Sequence, residues 1–230
     1  MPSTDALKRK AAEAALAYVK PGMVLGLGTG STSRFFLEGV ARMVRDGVDV
    51  KGVPTSFATA DAAKELGIPL TSLEERPSVD LCVDGADEVD PKLDLIKGLG
   101  GALFREKIVA AAAKRFVVIV DESKLVPRLG TKAPVPVEVH PFGWKVAAAA
   151  LEGLGATVEL RRRDSETMRT DSGNNLLDAQ FGPIKAPSKL AARIAAIPGV
   201  VGHGLFLGMA DAVLVASEKG VRTLRPTRTS

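Results

Sequence analysis

The chain has 230 residues, of which 46% are hydrophobic and 25% are charged, and its formal net charge is +4. This balance is typical of a globular protein with one large domain, or with one large and one small domain. No apolar run approaches the ~18 residues of a membrane span, and the single cysteine excludes an internal disulfide. The positive charge is scattered and not interleaved with aromatic residues, which argues against nucleic acid and favours a small anionic ligand. The N-terminus lacks a signal-peptide pattern, so we expect a cytoplasmic protein with no membrane partner.

The first 130 residues alternate between helices and strands. Apolar residues recur at helical spacing over residues 7–18, and Pro21-Gly22 ends that helix. Further helices are predicted over residues 35–44, 56–66 and about 102–114, and strands in "MVLGLG", "VDVKGVPT", "IPLTS", "VDLCVD" and "FVVIVDES". Because these strands are short and almost wholly apolar, they predict a mostly parallel sheet with helices on both faces, a Rossmann-like α/β fold.

The pattern changes near residue 131 to that of a smaller α+β domain. "APVPVEVH" alternates and contains prolines, which predicts an edge strand. Helices follow in "WKVAAAALEGLG" and "SKLAARIAAIPG", and strands in "ATVELRRR" and "TMRTDSGNNLLDAQF", the latter a hairpin turning at residues 171–174. The last apolar strands rejoin the first sheet. We therefore predict an α/β domain of residues 1–130 and 203–230, and an α+β domain of residues 131–202.

A glycine-rich loop follows the first strand. In "GLGTGST", residues 26–32, the glycines let backbone N–H groups point into one concavity, and Ser31 and Thr32 add hydroxyls where the next helix begins. Such a helix N-terminus binds phosphate. The alternative is a tight turn with an ordinary Ser/Thr cap, and the pattern fits neither a Walker loop nor a full G-x-G-x-x-G motif.

Four carboxylates lie within seven residues of "VDGADEVD", namely Asp84, Asp87, Glu88 and Asp90. Because they repel one another, some must be paired, protonated or bound to a metal, although the spacing fails the EF-hand pattern. Gly85 lets Asp84 and Asp87 approach the hydroxyls of a ligand, and carboxylates in a cleft can transfer protons near neutral pH. A solvated acidic turn is the alternative.

The stretch "KGLGGALFREK", residues 97–107, has three glycines between Lys97 on one side and Glu106 on the other. The glycines predict a flexible hinge that passes close to a ligand, with Lys97 on one side. Glu106 falls on the second turn of the predicted helix and is rigidly placed. A base on a helix and a cation on a mobile loop suit proton transfer. The alternative is a helix start with a Lys/Glu surface pair.

The remaining polar residues carry weaker signals. Lys124, in "DESKLV" at the end of the most apolar strand, holds an anion or is simply solvated. His140 and His203 lack metal-ligand spacing, and Cys82 lies within an apolar strand, so we expect structural roles for all three. The run 161–163 of three arginines predicts a solvated strand face.

The four motifs in this order closely resemble those of ribose-5-phosphate isomerase, type A. The resemblance continues through "PVPVEV", "TDSGNNLLD" and "PGVVGHGLFLGMADAVLV" and covers nearly the whole chain, although Leu99 departs from the glycine common at that position. It implies an isomerase of the pentose phosphate pathway that interconverts D-ribose 5-phosphate and D-ribulose 5-phosphate through a cis-enediolate. It also implies a sugar phosphate as ligand, no metal or organic cofactor, and a homodimer or homotetramer.

The resemblance assigns roles to particular residues. Glu106 is the base, and Asp84, Asp87 and Lys97 complete the catalytic set. The substrate-binding residues that it implies are Thr29, Gly30, Ser31, Thr32, Asp84, Gly85, Ala86, Asp87, Lys97, Gly98, Leu99, Gly100, Lys124 and Lys8. Elementary chemistry agrees, because one carboxylate can move a proton between two carbons while a cation and backbone donors stabilise the negative oxygen.

Two other functions stay open at this point. The first is a different enzyme on a related fold, a coenzyme A transferase or a sugar-phosphate deaminase; a transferase would use Glu106 as a nucleophile and form a covalent thioester. A sugar-phosphate sensor would bind its ligand without turnover. The sequence ahead of residue 20 has no helix-turn-helix pattern, and a sensor has no need of the four ionisable residues, so both observations argue against the sensor.

Overall fold

The computed structural model describes residues 3–226. Contacts divide this part of the chain into two compact units, the first containing residues 3–86, 105–124 and 208–226 and the second containing residues 87–104 and 125–207. The predicted domain boundaries stay a prediction; by contacts, segment 87–104 groups with 125–207. Within residues 3–226, no helix has the length and apolarity needed to cross a membrane.

The described chain contains six α-helices and fifteen strands. In chain order they are α1 (Thr4–Leu16), β1 (Val24–Leu27), α2 (Ser31–Arg45), β2 (Lys51–Pro54), α3 (Phe57–Glu65), β3 (Leu81–Asp84), β4 (Glu88–Val89), β5 (Leu95–Ile96), α4 (Leu103–Ala112), β6 (Phe116–Asp121), β7 (Val135–Val139), α5 (Trp144–Gly153), β8 (Thr157–Leu160), β9 (Arg162–Arg163), β10 (Glu166–Thr167), β11 (Asn175–Gln180), α6 (Pro187–Ala195), β12 (Val200–His203), β13 (Leu205–Phe206), β14 (Ala212–Ser217) and β15 (Gly220–Leu224).

The first unit is built on a six-stranded sheet in the order β15-β14-β6-β3-β1-β2. All neighbours are parallel except β15, which runs antiparallel to β14. The predicted mostly parallel α/β fold is therefore confirmed, and the last strands do rejoin the first sheet. The strand predicted in "IPLTS" is wrong, because Leu70 makes only a single bridge to Gly52.

Helices cover both faces of this sheet because side chains alternate along its strands. Leu25 and Leu27 point to one face, where they share a core with the buried sides of α1 and α2. Gly26 and Cys82, which are register partners, point to the other face. A Cβ atom on Gly26 would lie 2.7 Å from Val109 on α4. The missing side chain at Gly26 thus allows α4 to pack closely against the centre of the sheet.

The second unit is centred on an antiparallel sheet in the order β12-β7-β11-β8. Residues from β7, β11, α5 and α6 form its apolar core, including Val137, Leu151, Leu177 and Ile194. The short strands β13, β5 and β4 form a three-stranded sheet, and β9 pairs with β10. The antiparallel sheet and its two helices give this unit an α+β architecture.

Two details predicted for this unit are wrong. The strand in "APVPVEVH" is central rather than an edge strand, since β7 pairs with both β11 and β12. The β12 pairing ends at Val137, so the missing N–H of Pro136 falls outside that ladder. The predicted hairpin is reduced to a turn at residues 170–174 with one bridge between Arg169 and Asn175. The partners of β11 are instead β7 on one side and β8 on the other.

Candidate active site

The β1–α2 loop opens the N-terminus of α2 to solvent. Gly30 is the N-cap, and its φ of 110° lies in the region that favours glycine. No described side chain caps this helix end, so the alternative of an ordinary Ser/Thr cap is wrong. Gly30 and Ser31 are exposed and Thr32 is half-buried, while Arg34 and Gly30 line a cleft of about 310 Å³. The loop therefore presents backbone donors and a positive helix end to a ligand.

Asp84 lies beneath this loop, where β3 ends. Its carboxylate is almost wholly buried, and its Oδ1 atom accepts hydrogen bonds from the Thr29 N–H at 3.1 Å, the Ser33 hydroxyl at 3.0 Å and the Gly85 N–H at 2.8 Å. A Cβ atom on Gly28 would lie 2.2 Å from the same oxygen, so glycine is required there. The structure thus brings Asp84 and the glycine loop together. Sequence reasoning missed Ser33, which lies in the first turn of α2 and belongs to no recognised motif.

The hydroxyl of Thr29 belongs to a buried hydroxyl cluster. Its Oγ1 atom lies 2.7 Å from Thr55 Oγ1, 2.9 Å from Ser56 Oγ and 3.0 Å from Thr59 Oγ1. This cluster ties the β1–α2 loop to the start of α3, where Ser56 is the N-cap. The predicted substrate contact of Thr29 stays a prediction. The sequence analysis did not identify this cluster, although Thr55 and Ser56 directly follow β2 at the carboxyl edge of the sheet.

Glu106 is fixed on α4. The helix begins at Leu103, so Glu106 lies in its first turn and not, as predicted, in its second. The side chain is 4% exposed. A carboxylate in the first turn interacts favourably with the positive end of the helix. Because α4 packs on β1 through Val109, the carboxylate has a rigid support.

Lys107, the next residue on α4, makes stability depend on pH. Burial lowers the pKa of Lys107 from 10.5 to about 8. Between these values the unfolded chain binds one more proton than the folded chain, so the free energy of unfolding rises with pH across that window. We expect Lys107→Met to raise the free energy of unfolding at pH 7 by an amount on the order of 1–3 kcal/mol, and the gain to shrink by more than half at about pH 10.

Urea denaturation of the wild type and Lys107→Met at both pH values measures this difference. Lys64→Met is the matched control, because Lys64 is 69% exposed and makes only a 3.9 Å ion pair with Asp61. We expect the control to change the free energy of unfolding by no more than about 0.5 kcal/mol at either pH. An equal gain for Lys107→Met at both pH values would contradict the buried-lysine explanation.

The two other predicted anion-binding lysines lie elsewhere in the first unit. Lys124 is half-buried and ends a 3-10 turn, Glu122–Lys124, directly after β6. Lys8 lies on α1 with its side chain 19% exposed, and its Nζ atom is 3.2 Å from Asp5. Asp5 is largely exposed, so this ion pair contributes little and does not hinder a stronger anionic partner.

In the second unit, the glycine loop after β5 is held in place rather than free. The Lys97 N–H donates to the Gly204 carbonyl at 2.9 Å, and the Leu99 N–H donates to Asp87 Oδ2 at 3.0 Å. Gly98 has a φ of 109° and its carbonyl accepts the N–H of residue 101 at 3.0 Å. The Lys97 side chain is buried, with Nζ 5.5 Å from the centroid of the Phe206 ring. These bonds show that the expected flexible hinge is an ordered turn.

Arg161 corrects another expectation. It was predicted on a solvated strand face, yet its side chain is 11% exposed. The guanidinium donates to both carboxylate oxygens of Asp178 and to the carbonyls of Gly98 and Leu99. Arg162 is exposed as predicted. A run of three arginines holds no local signal that would single out the first.

Two carboxylates of the acidic run, Glu88 and Asp90, accept hydrogen bonds from backbone N–H groups. Glu88 is fully buried and accepts the backbone N–H groups of Gly130, Lys132 and Ala133. Asp90 accepts the N–H groups of residues 92 and 94, and burial is the main cause that raises its pKa. Within the described residues, no group of three or more His, Cys, Asp or Glu side chains could hold a metal ion. Glu88 and Asp90 therefore act as anchors of the fold.

The fold and these loops place the protein in the class of α/β proteins with an open, mostly parallel sheet. Proteins of this class bind their ligands at the carboxyl ends of the strands. The family model described as "Ribose 5-phosphate isomerase A (phosphoriboisomerase A)" matches residues 51–220. The chain belongs to this family, whose members are aldose–ketose isomerases. The resemblance drawn from the four motifs is confirmed.

Individual relatives match over almost the whole chain. A ribose-5-phosphate isomerase A of Gloeobacter violaceus is 54% identical over 224 residues, 97% of each chain, and that of Roseiflexus castenholzii is 56% identical over 217 residues, 93% of each. The solved ribose 5-phosphate isomerase A of Methanocaldococcus jannaschii is 45% identical, with a TM-score of 0.93 over 97% of this chain and 100% of that one. A solved D-ribose-5-phosphate isomerase in complex with phospho-erythronic acid is 42% identical, with a TM-score of 0.95 and the same coverage.

Proposed function

We propose that this protein interconverts D-ribose 5-phosphate and D-ribulose 5-phosphate in the non-oxidative pentose phosphate pathway. The observation that carries the proposal is the 54% identity to a ribose-5-phosphate isomerase A over 97% of both chains. The ligand of a solved relative supports the reaction class, because a phosphorylated sugar acid such as phospho-erythronic acid carries a planar carboxylate with two oxygens. That carboxylate resembles the two oxygens of an enediolate, and intermediate analogues of this kind bind tightly.

The proposed chemistry moves one proton between two carbons. In the aldose-to-ketose direction, Glu106 removes the proton from carbon 2, and negative charge develops on the oxygen of carbon 1. The electron pair forms the carbon–carbon double bond of a cis-enediolate. Glu106 then returns the proton to carbon 1, while the hydroxyl proton of carbon 2 passes to the oxygen of carbon 1. No external oxidant or reductant is needed, because carbon 1 is reduced as carbon 2 is oxidised.

Lys97 and backbone donors stabilise the developing oxyanion in this proposal. The ammonium group of Lys97 is buried, so its interaction with a negative oxygen is stronger than in water. The amides of Gly98 and Gly100 belong to an ordered turn and need little reorganisation when charge appears, while the Leu99 N–H is bonded to Asp87. Between the two aspartates, we assign the hydroxyl proton relay to Asp87, because it is half-buried whereas Asp84 is 1% exposed and anchors the glycine loop.

The phosphate group is assigned to the open end of α2. Gly30, Ser31 and Thr32 supply backbone and hydroxyl donors, and Lys8 and Lys124 supply positive charge. Thr29, Gly85 and Ala86 complete the proposed substrate-binding set on the first unit. Phosphate binding is remote from the reacting carbons, so its free energy supports catalysis by fixing the sugar in place.

A direct isomerisation assay tests the proposal. The protein is treated with a chelator and mixed with ribose 5-phosphate, and ketose formation is followed. We expect turnover without added metal or cofactor. A covalent thioester after incubation with an acyl-CoA, with no ketose formed, would favour the transferase alternative, and binding of ribose 5-phosphate without turnover would favour the sensor.

We further propose a cytoplasmic homodimer that pairs through α5. Phe142, just ahead of this helix, is 97% exposed and Val146 is 68% exposed. With the exposed Ala149 and Gly153 they form an apolar stripe at helical spacing. In an antiparallel pair about a two-fold axis, Phe142 lies opposite Gly153 of the partner subunit and Val146 opposite Ala149 of the partner subunit. A large side chain thus faces a small one at both positions.

Charge complementarity supports a second copy as the occupant. Lys145 and Glu152 are exposed on the same flank of the stripe, at opposite ends of α5. A two-fold antiparallel pairing brings that flank against itself, so Lys145 meets Glu152 of the partner subunit twice. We expect Lys145→Glu or Glu152→Lys alone to weaken dimerisation by about 3- to 10-fold. An equimolar mixture of the two variants should restore the dimer.

Sedimentation velocity at several concentrations measures this behaviour. Phe142→Glu should dissociate the dimer, whereas Glu13→Lys, an exposed change on α1, should not. A wild-type monomer at high concentration, or an oligomer indifferent to all the α5 variants, would rule out this surface.

A further inference from the structure

Arg161, which lies between β8 and β9, links Asp178 on β11 to the backbone of the glycine loop. Its Nη1 atom donates to the Gly98 carbonyl at 2.9 Å and to the Leu99 carbonyl at 3.0 Å. Its Nε atom donates to Asp178 Oδ2 at 2.8 Å, and Nη2 donates to Asp178 Oδ1. The side chains of Arg161 and Asp178 are 11% and 23% exposed. A half-buried bidentate pair of this kind fixes the guanidinium plane in one orientation.

The backbone of Arg161 is itself held firmly. Its N–H donates to the Leu176 carbonyl at 2.9 Å, and its carbonyl accepts the Met168 N–H at 3.1 Å. Asp178 lies on β11, which pairs with β7 on one side and β8 on the other. The guanidinium is therefore held by a central strand of the antiparallel sheet. Its hydrogen bonds to Gly98 and Leu99 restrain the glycine loop in turn.

The two carbonyl contacts set the direction of two peptide groups. A trans peptide is planar, with its C=O and N–H pointing to opposite sides. Because the Gly98 carbonyl points at Arg161, the Leu99 N–H points away from it, and it donates to Asp87 Oδ2 at 3.0 Å. Because the Leu99 carbonyl also points at Arg161, the Gly100 N–H points away from Arg161 as well. Arg161 thus turns two successive N–H groups away from itself, one of them onto Asp87.

We propose that Arg161 is a positioning residue for the isomerisation, acting through the peptide groups of residues 98–100 and held in place by Asp178. This inference rests on the proposed function, in which the same loop carries the oxyanion donors and Asp87 relays a proton. Arg161 itself touches neither substrate nor reacting atoms in this assignment. Its effect is to keep the Gly100 N–H aimed where the negative oxygen develops, since such a donor acts only when preorganised, and to keep the Leu99 N–H on the Asp87 carboxylate.

The residue type matters at this position. A guanidinium offers several N–H donors in one rigid plane, so it bonds a carboxylate and two carbonyls at the same time. A lysine ammonium is a point charge on a flexible stem and cannot reproduce this geometry. We therefore expect Arg161→Lys to behave almost as poorly as Arg161→Met.

Steady-state kinetics on the full chain test the proposal. We expect Arg161→Met to lower kcat by about 100-fold, with KM changing by less than about 5-fold, because misplaced donors weaken the transition state more than the bound substrate. Asp178→Asn, which keeps one carbonyl acceptor for Arg161, should lower kcat by about 5- to 10-fold. Arg162→Met is the matched control, because Arg162 is exposed and donates only to the Ser165 carbonyl. The control should leave kcat unchanged.

Two further measurements distinguish a positioning role of Arg161 from a general contribution to the stability of the fold. Amide hydrogen exchange at residues 98–101 should accelerate in Arg161→Met while exchange in β7 and β11 stays at the wild-type rate. Added guanidinium ion at millimolar concentration should restore part of kcat in Arg161→Ala and none in Glu106→Gln. If Arg161→Met does not fold, Asp178→Asn and its exchange at residues 98–101 decide the matter.

These experiments distinguish a wrong role for Arg161 from a wrong isomerase assignment. An inactive wild type would remove the isomerase assignment, whereas an active wild type with kcat unchanged in Arg161→Met would overturn the positioning role alone. Loss of kcat that accompanies faster exchange throughout the antiparallel sheet, without rescue by guanidinium, would also overturn it and leave Arg161 as a stabilising residue.

Discussion

Glu106→Gln lowers kcat for ketose formation by about 10²–10⁴-fold, with little change in KM, if Glu106 is the base. Glutamine has almost the same size and keeps the packing of the first turn of α4, but its amide cannot accept the carbon-bound proton. The expected loss is therefore one of chemistry rather than of folding or binding. Initial rates with ribose 5-phosphate, and incorporation of solvent deuterium into the sugar carbons, measure it.

The deuterium measurement makes this test specific. A base that takes the proton from carbon 2 exchanges part of it with solvent, so the wild type should incorporate deuterium and Glu106→Gln should not. Glu13→Gln serves as the control, because Glu13 is exposed on α1. If Glu106→Gln keeps a near wild-type rate, or continues to incorporate deuterium, another group is the base.

Replacement of Lys97 has the second largest expected effect. Lys97→Met preserves most of the buried volume and removes the charge, whereas Lys97→Ala also leaves a cavity. We expect kcat to fall by about 10²–10³-fold in Lys97→Met, with a smaller change in affinity, because the charge interaction grows as the oxyanion forms. Rate measurements over a range of substrate concentrations separate kcat from KM.

A matched lysine is available for comparison. Lys92 is exposed in the same unit, and Lys92→Met should leave both constants unchanged. A higher KM with unchanged kcat in Lys97→Met would show that Lys97 binds the substrate equally in the ground state and the transition state. That result would remove it from the stabilisation of the oxyanion.

Much of the fold could be predicted because its signals are local. Apolar strands alternating with helical periodicity predicted the parallel sheet of β1, β2, β3 and β6, and the structure confirms it. The failures concern pairing. "IPLTS" has the composition of a strand but finds no ladder, and "APVPVEVH" reads as an edge although β7 has neighbours on both sides. Local composition does not say which segments become neighbours.

The polar residues divide in the same way. The sequence alone marked the glycine loop after β1, Asp84 at a strand end and Glu106 on a helix, because a carboxylate beside a glycine-rich loop is recognisable without its partners. It could not mark Ser33 or the hydroxyl cluster around Thr29, whose members come from separate segments. It also led to the wrong expectation for Arg161, since an arginine beside two exposed arginines looks solvated.

The amino-acid sequence by itself thus determined the α/β class, the family and the loops that leave the carboxyl ends of the parallel strands. These follow from periodicity and from the direction of parallel strands, which place successive loops at one edge of a sheet. Only the tertiary structure decided that the turn at residues 97–101 is held in place, since Arg161 and Gly98 are 63 positions apart. The physical reason is that a guanidinium leaves solvent only where packing supplies a carboxylate and backbone carbonyls as hydrogen-bond acceptors. Whether these acceptors lie near Arg161 depends on how strands that are distant in the sequence pair within the second unit.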